Sequence, residues 1–127
     1  MYLLLLLLTF NFSSLDDQWL TYFENKKIKI SYEDVTCNDI INGVIFDYYL
    51  IKVKNKTNET LVINFYLGEN EDDENKVAFV LNPNEIKTGS CDYQPIKLRL
   101  FKAQNRNKKS KSIINFSLNK IEATEVY

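Results

Sequence analysis

Apolar and polar side chains alternate along several short stretches of this 127-residue chain. Residues 27–32 place Ile28, Ile30 and Tyr32 on one face, and lysine and serine on the other. Residues 60–67 repeat the pattern with four apolar side chains on one face. A period of two is typical of a strand with one buried face. No window of eleven or more residues after the N-terminal segment has the 3.6 period of a helix, so the chain is predicted to be all-β.

Turn-forming residues divide the chain into six to eight such strands. The longest candidate, Val44–Asn55, is apolar on both faces in its first half, as expected where a strand is covered on both sides. The polar residues 55–59 separate it from residues 60–67, so these two strands are predicted to form an antiparallel hairpin. Residues 33–43 are rich in asparagine and aspartate and are predicted to be a connection.

The later strands are shorter. Residues 77–81, 96–101 and 114–118 each show alternation, and the phase slips near Asn119 and Lys120, which predicts a β-bulge. We therefore expect one domain, residues 15–127, folded as an antiparallel immunoglobulin-like β-sandwich.

The N-terminus has the character of a signal peptide. Residues 3–8 are six consecutive leucines, and the apolar stretch of about ten residues is too short to span a bilayer. Ser13 and Ser14 suit a cleavage region, although no lysine or arginine precedes the leucines. We predict a signal segment at residues 1–14, export to the periplasm or cell surface, and no membrane span after its removal. The alternative is a buried strand or helix of a cytosolic protein.

The two cysteines, Cys37 and Cys91, are predicted to form a disulfide, since an even number behind an export signal favours pairing. Closing a loop of about 55 residues would stabilise the fold by about 4 kcal/mol. The alternative is a pair of buried free thiols.

The composition excludes several functions. The chain has no histidine, so imidazole acid–base catalysis and histidine-ligated zinc are excluded. Sixteen basic residues balance seventeen acidic ones, which argues against a general nucleic-acid binder. No cofactor is predicted.

The stretch 44–67, followed by residues 81–85 (Leu-Asn-Pro-Asn-Glu) and 89–91 (Gly-Ser-Cys), resembles small secreted immunoglobulin-like sandwiches of Bacteroidetes-type bacteria. Unlike an antibody domain, the chain has its tryptophan at the start, and no tyrosine lies two residues before Cys91. The resemblance implies a sandwich fold and secretion, and it implies no catalytic residue.

Seventeen aromatic residues exceed what a small core needs, and some are expected on the surface. Alternation places Tyr48 and Tyr66 on the faces opposite Tyr49 and Phe65, so Tyr48 and Tyr66 are the candidate surface for a protein or a sugar. Core filling and cross-strand pairing are the alternative.

Two loops concentrate charge. The acidic loop, a candidate weak calcium site or simply a solvated hairpin tip, holds Glu69, Glu71, Asp72, Asp73 and Glu74. The basic loop, a candidate contact for anions, holds Lys102, Arg106, Lys108, Lys109 and Lys111.

These observations predict a non-catalytic exported module that binds a protein. A carbohydrate- or calcium-binding module is the alternative, and a small hydrolase using two carboxylates is a weaker one.

Overall fold

The computed structural model describes residues 18–39, 43–104 and 114–126. These ranges contain eight strands and one turn of 3-10 helix at Asp73–Asn75. The strands are β1 (Leu20–Glu24), β2 (Ile28–Asp39), β3 (Val44–Asn55), β4 (Leu61–Leu67), β5 (Lys76–Leu81), β6 (Ile86–Thr88), β7 (Arg99–Gln104) and β8 (Leu118–Glu125). All pairings are antiparallel, which confirms the predicted class of fold. The predicted signal segment, residues 1–14, lies outside the described residues.

The strands form two sheets. The first sheet has the order β1-β2-β3, and both β6 and β7 pair with the remaining edge of β3. The second sheet has the order β5-β4-β8. The first three strands thus form a meander in one sheet, whereas an immunoglobulin constant-type domain places its third strand in the opposite sheet.

The inner faces of the two sheets bury one core. In β4 every second residue is buried, as the alternation predicts, and Phe65 meets Phe79 of β5 edge to face at 6.2 Å. Each such large apolar side chain contributes about 1.5–3 kcal/mol through burial. The core consists of Ile28, Ile30, Ile51, Val53, Leu61, Ile63, Phe65, Leu67, Val77, Phe79, Leu81, Leu98 and Leu118.

The predicted hairpin between β3 and β4 is wrong. These strands belong to different sheets, and residues 56–60 carry the chain from one sheet to the other. The actual hairpin has its tip at residues 68–75, where β4 turns back into β5. The first arm of this hairpin is β3 followed by β4, and the second arm is β5 followed by β6. Because β6 pairs with β3 in the first sheet, one long hairpin is bent across both sheets.

The buried side chain of Asn55 explains the bend. Asn55 is 0% exposed, and its Nδ2 donates to the main-chain oxygens of Glu59 (2.7 Å), Asn82 (3.0 Å) and Leu81 (3.2 Å). Its Oδ1 accepts from the main-chain N–H (2.9 Å) and the hydroxyl (2.8 Å) of Thr57. Both arms of the hairpin are therefore fastened to one amide at the crossing. A polar turn and a crossing between sheets use the same residue types, so the sequence pattern could not separate them.

The predicted boundaries of three strands differ from the structure. Strand β2 continues to Asp39, paired with β3 along its whole length, so residues 33–39 are strand and not connection. Strand β7 extends from Arg99 to Gln104, although the pattern predicts a strand at residues 96–101 and a loop from residue 102. Residues 114–117, predicted as strand, precede β8. The backbone hydrogen bonds of neighbouring strands override the local turn preference of asparagine and aspartate.

The predicted bulge near Asn119 and Lys120 is confirmed. Asn64 and Tyr66 of β4 lie opposite Glu122 and Asn119 of β8, so β8 carries one extra residue. Lys120 lies at this point with φ of 51°.

Candidate binding surface

The two candidate tyrosines lie on opposite sides of the molecule. Tyr48 belongs to β3 in the first sheet and Tyr66 to β4 in the second. Each alternates with a buried neighbour, Tyr49 and Phe65, so each points away from the core. The structure therefore separates them into two outer faces, and they cannot form one surface.

Tyr48 is part of a cluster that we call the aromatic patch, defined by Phe46, Tyr48, Tyr93, Arg99 and Phe101. The ring of Tyr48 meets that of Phe101 edge to face at 5.8 Å, and Phe46 lies 6.2 Å from both. The guanidinium carbon of Arg99 lies 4.6 Å from the centre of the Tyr48 ring. Tyr93 is 83% exposed, and Phe101 is partly exposed.

Residues 90–97, which we call the disulfide loop, lie along one side of the patch and contribute Tyr93 to it. The loop leaves the sheet at Gly89, whose N–H donates to the oxygen of Ile51 (2.8 Å). It returns at Leu98, whose oxygen accepts from the N–H of Ile51 (2.9 Å). A Cβ atom at position 89 would overlap the main-chain oxygen of Leu98, so this close approach requires glycine.

The predicted disulfide between Cys37 and Cys91 is confirmed, with the two Cα atoms 5.5 Å apart. Cys37 lies on β2, on the far side of β3 from Gly89 and Leu98, so the bond draws the disulfide loop across the outer face of β3. Leu50 of β3, on that face, is accordingly buried. This accounts for the apolar residue at position 50, whereas Ile45 at the start of the strand is 41% exposed and not covered. Arg99 fixes the loop again through a hydrogen bond from Nη1 to the oxygen of Cys91 (2.7 Å).

A cleft of about 210 Å³ opens between the disulfide loop and β7. Tyr48 and Phe101 line it from the sheet, and Tyr93, Gln94 and Ile96 line it from the loop. The surface that lines this cleft is mostly apolar.

The carboxylates of the acidic loop do not converge on one point. Glu71 pairs with Lys120 across the bulge (Oε1 to Nζ, 2.9 Å), which raises the pKa of the lysine, and Asn119 donates to the main-chain oxygen of Glu69 (3.1 Å). Within the part of the chain that the structure describes, no three cysteine, aspartate or glutamate side chains are placed to hold a metal ion.

The prediction that the basic loop begins at Lys102 is wrong, because Lys102 belongs to strand β7, which continues to Gln104. The ammonium of Lys102 lies 2.9 Å from Oδ1 of Asp34 and 5.3 Å from the centre of the Tyr49 ring. The hydrogen bond with Asp34 raises the pKa of Lys102. Lys102 is thus held by an internal ion pair, and Arg106, Lys108, Lys109 and Lys111 lie outside the described residues.

A second aromatic cluster, on the inner face, was not predicted. Tyr32 stacks on Phe116 at 4.1 Å, and Tyr22 and Tyr49 meet Phe116 edge to face. The hydroxyl of Tyr22 donates to the oxygen of Leu118 (3.2 Å) and accepts from its N–H (3.1 Å). Alternation places Tyr32 on the face of Ile28 and Ile30, and Tyr49 on the face of Ile51 and Val53, but only the register between β2 and β3 brings the two rings together. Tyr49 is buried, Tyr32 and Phe116 are half-buried and Tyr22 is 38% exposed, so the cluster extends from the core to the surface.

A further feature was missed on the outer face of the first sheet. Three lysines of β2 and β3, Lys29, Lys52 and Lys54, lie beside Trp19 in a cleft of about 270 Å³. We call it the basic cleft; its lining is completed by Ser31 and Ile86. The alternation already put these lysines on polar faces, but the register between the strands was needed to bring them together.

Comparison with protein-family models, curated proteins and solved structures found no match to this chain. The resemblance to small secreted immunoglobulin-like proteins therefore stays a prediction. The described residues include no helix that is long and apolar enough to cross a membrane.

Proposed function

We propose that this chain is an exported β-sandwich that works by binding a partner protein through the aromatic patch, without catalysis. The observation that carries the proposal is an exposed cluster of tyrosine, phenylalanine and arginine beside a loop fixed by a disulfide. Tyrosine and arginine are enriched among the residues that dominate protein–protein binding energies.

The geometry of the patch favours a protein partner. Tyr93 projects into solvent, yet the loop that carries it is fastened at Cys91 and at both of its ends. A surface that is already ordered loses less conformational entropy on binding. The apolar cleft beside Tyr93 gives an anchoring side chain a place to be buried.

Export is supported by two features. Disulfides persist mainly in oxidising compartments such as the periplasm and the cell exterior. The leucine-rich segment at residues 3–8 has the composition of a signal peptide. A binding role without catalysis is supported by the lack of histidine, which removes the commonest acid–base group of enzymes.

The proposal is tested by affinity capture from envelope extracts with quantitative mass spectrometry. We expect Tyr93→Ala and Phe101→Ala to lose the partner that the unaltered protein enriches. Tyr66→Ala, on the opposite outer face, is the matched control and should retain it. Retention of the same partner by both patch variants would contradict the proposal, as would its loss in the control.

A further inference from the structure

The basic cleft lies on the same outer face as the aromatic patch, but at the other end of β3. Lys29 of β2 stands directly opposite Lys54 of β3, and Ser31 stands opposite Lys52. Lys52 and Lys54 are two residues apart, so their side chains share this face. Three ammonium groups therefore border one concave region.

This arrangement of lysines lowers the stability of the folded sheet. Like charges directly opposite on neighbouring strands destabilise a sheet. The ion pairs within residues 18–39, 43–104 and 114–126 involve Lys56, Lys102 and Lys120, and none of the three lysines of the cleft. The chain as a whole has a net charge of −1, so the positive charge is local.

The carboxylate directly opposite Lys29 is engaged by another lysine. Glu24 lies beside Lys29 on β1, but its Oε2 is 2.8 Å from the ammonium of Lys56. That hydrogen bond is the main reason that the pKa of Glu24 is lowered, and Lys29 and Lys54 contribute less. Glu24 is therefore matched mainly by Lys56, and Lys29, Lys52 and Lys54 form no ion pair within the described residues, so their ammonium groups can meet an external anion.

Trp19 adds a flat apolar wall. The ammonium of Lys52 lies 4.4 Å from the centre of the Trp19 ring and covers part of one face of the indole, and the ring also lines the cleft. The indole is half-buried, and Ser31, which is buried, is a further lining residue of the cleft. A ring with an apolar face, hydroxyl groups and a negative charge complements such a wall, and a cleft of about 270 Å³ suits a single sugar ring.

We propose that the basic cleft binds an acidic sugar residue of a polysaccharide, with the sugar carboxylate held by Lys29, Lys52 and Lys54 and the sugar ring packed against Trp19. The single tryptophan and the enclosed shape favour a sugar over a nucleic acid, which would require several stacking aromatics and an extended basic track. This site is independent of the aromatic patch, because it uses none of the same residues.

The test is isothermal titration and affinity electrophoresis of the unaltered protein with polygalacturonate, a polymer of acidic sugars. Dextran, double-stranded DNA and vesicles of anionic lipid serve as comparison ligands. We expect binding to polygalacturonate that weakens with added salt, no binding to dextran, and weaker binding to DNA and vesicles. No binding to polygalacturonate, or equal or tighter binding to DNA or vesicles, would overturn the proposal.

Substitutions distinguish binding in the cleft from general electrostatic attraction to the protein. The double variant Lys29→Gln with Lys54→Gln should lower the affinity for polygalacturonate by about tenfold or more. The matched control, Lys76→Gln with Lys97→Gln, removes two exposed lysines elsewhere and should change it by less than about twofold. An equal loss of affinity in the control variant would show that the polymer is attracted by net charge only, and it would overturn the proposed site.

Two further measurements address folding and the sugar ring. Because the Lys29–Lys54 pair is repulsive, the cleft double variant should melt at the same temperature as the unaltered protein or higher. A lower melting temperature would assign the lysines a structural role and contradict the proposal. Trp19→Ala should also weaken polygalacturonate binding, and unchanged affinity would contradict the ring contact.

Discussion

The side-chain nitrogen of Asn55 lies 3.2 Å from the main-chain oxygen of Leu81, and this hydrogen bond joins the two arms of the bent hairpin where both pass between the sheets. The same amide is fully buried, so no water can replace its partners. The position of the disulfide loop and of the basic cleft on β3 depends on this crossing, because it sets where β6 returns to the first sheet.

Asn55→Ala is expected to lower the free energy of unfolding by about 2–4 kcal/mol, because it leaves buried main-chain oxygens without donors. Urea denaturation measures the change. Asn58→Ala, at an exposed position in the same crossing segment, is the matched control; it removes one exposed hydrogen bond from Asn84 (3.3 Å) and should change the free energy by less than about 1 kcal/mol. Equal effects of the two substitutions would show that the Asn55 amide does not hold the crossing.

Gly89→Ala is expected to destabilise the fold by more than about 2 kcal/mol, since the added methyl group would overlap the main-chain oxygen of Leu98. Gly43 has a positive φ of 64° but open space around it, so Gly43→Ala should cost only about 1 kcal/mol. Thermal unfolding of the two variants compares them. A smaller loss at position 89 than at position 43 would contradict the close approach of Gly89 to Leu98.

Replacement of both Cys37 and Cys91 by serine is expected to remove about 4 kcal/mol of stability, because the disulfide closes a long loop in the unfolded chain. Urea unfolding of the oxidised protein, the reduced protein and the variant measures this difference. The reduced protein should match the variant. Equal stability of the oxidised protein and the variant would contradict a structural disulfide.

Tyr49 gives the molecule a stability that depends on pH. Burial raises the pKa of its phenol, which donates to the oxygen of Ile114 (2.8 Å), while the nearby Lys102 partly opposes the shift. A raised folded-state pKa means that the stabilisation is complete below the ordinary value of about 10 and is lost as pH rises through the folded value.

The free energy of unfolding should therefore fall more steeply above about pH 10 for the unaltered protein than for Tyr49→Phe. Lys102→Met should raise the pKa of Tyr49 further, which titration of phenolate absorbance would detect. Identical pH dependence of the unaltered protein and Tyr49→Phe would contradict the burial of an un-ionised phenol at this position.

The sequence pattern predicts the strands best where one face alone is buried. In β4, alternation identifies Leu61, Ile63 and Phe65 as core, and the phase slip locates the bulge at Lys120. The cysteine count identifies the disulfide. These features depend on local spacing or on composition, which are visible in one chain.

The features that the pattern misses depend on the register between paired strands and on where the chain crosses from one sheet to the other. Asn55 looks like an ordinary turn residue until both arms of the hairpin are placed around its amide. Lys29 and Lys54 are distant in sequence and meet only because β2 and β3 pair in one register. The separation of Tyr48 from Tyr66 likewise follows from the assignment of β3 and β4 to different sheets, which alternation does not determine.

The central claim, that the aromatic patch is the surface that meets a partner protein, is tested most directly by photo-crosslinking in intact cells of the source organism. A photoreactive phenylalanine analogue replaces Tyr93 in one protein and Tyr66 in another, and adducts are resolved by mass. Position 93 is predicted to give a discrete adduct with one partner protein, and position 66 to give none. No adduct at position 93, or the same adduct at both positions, would contradict the claim.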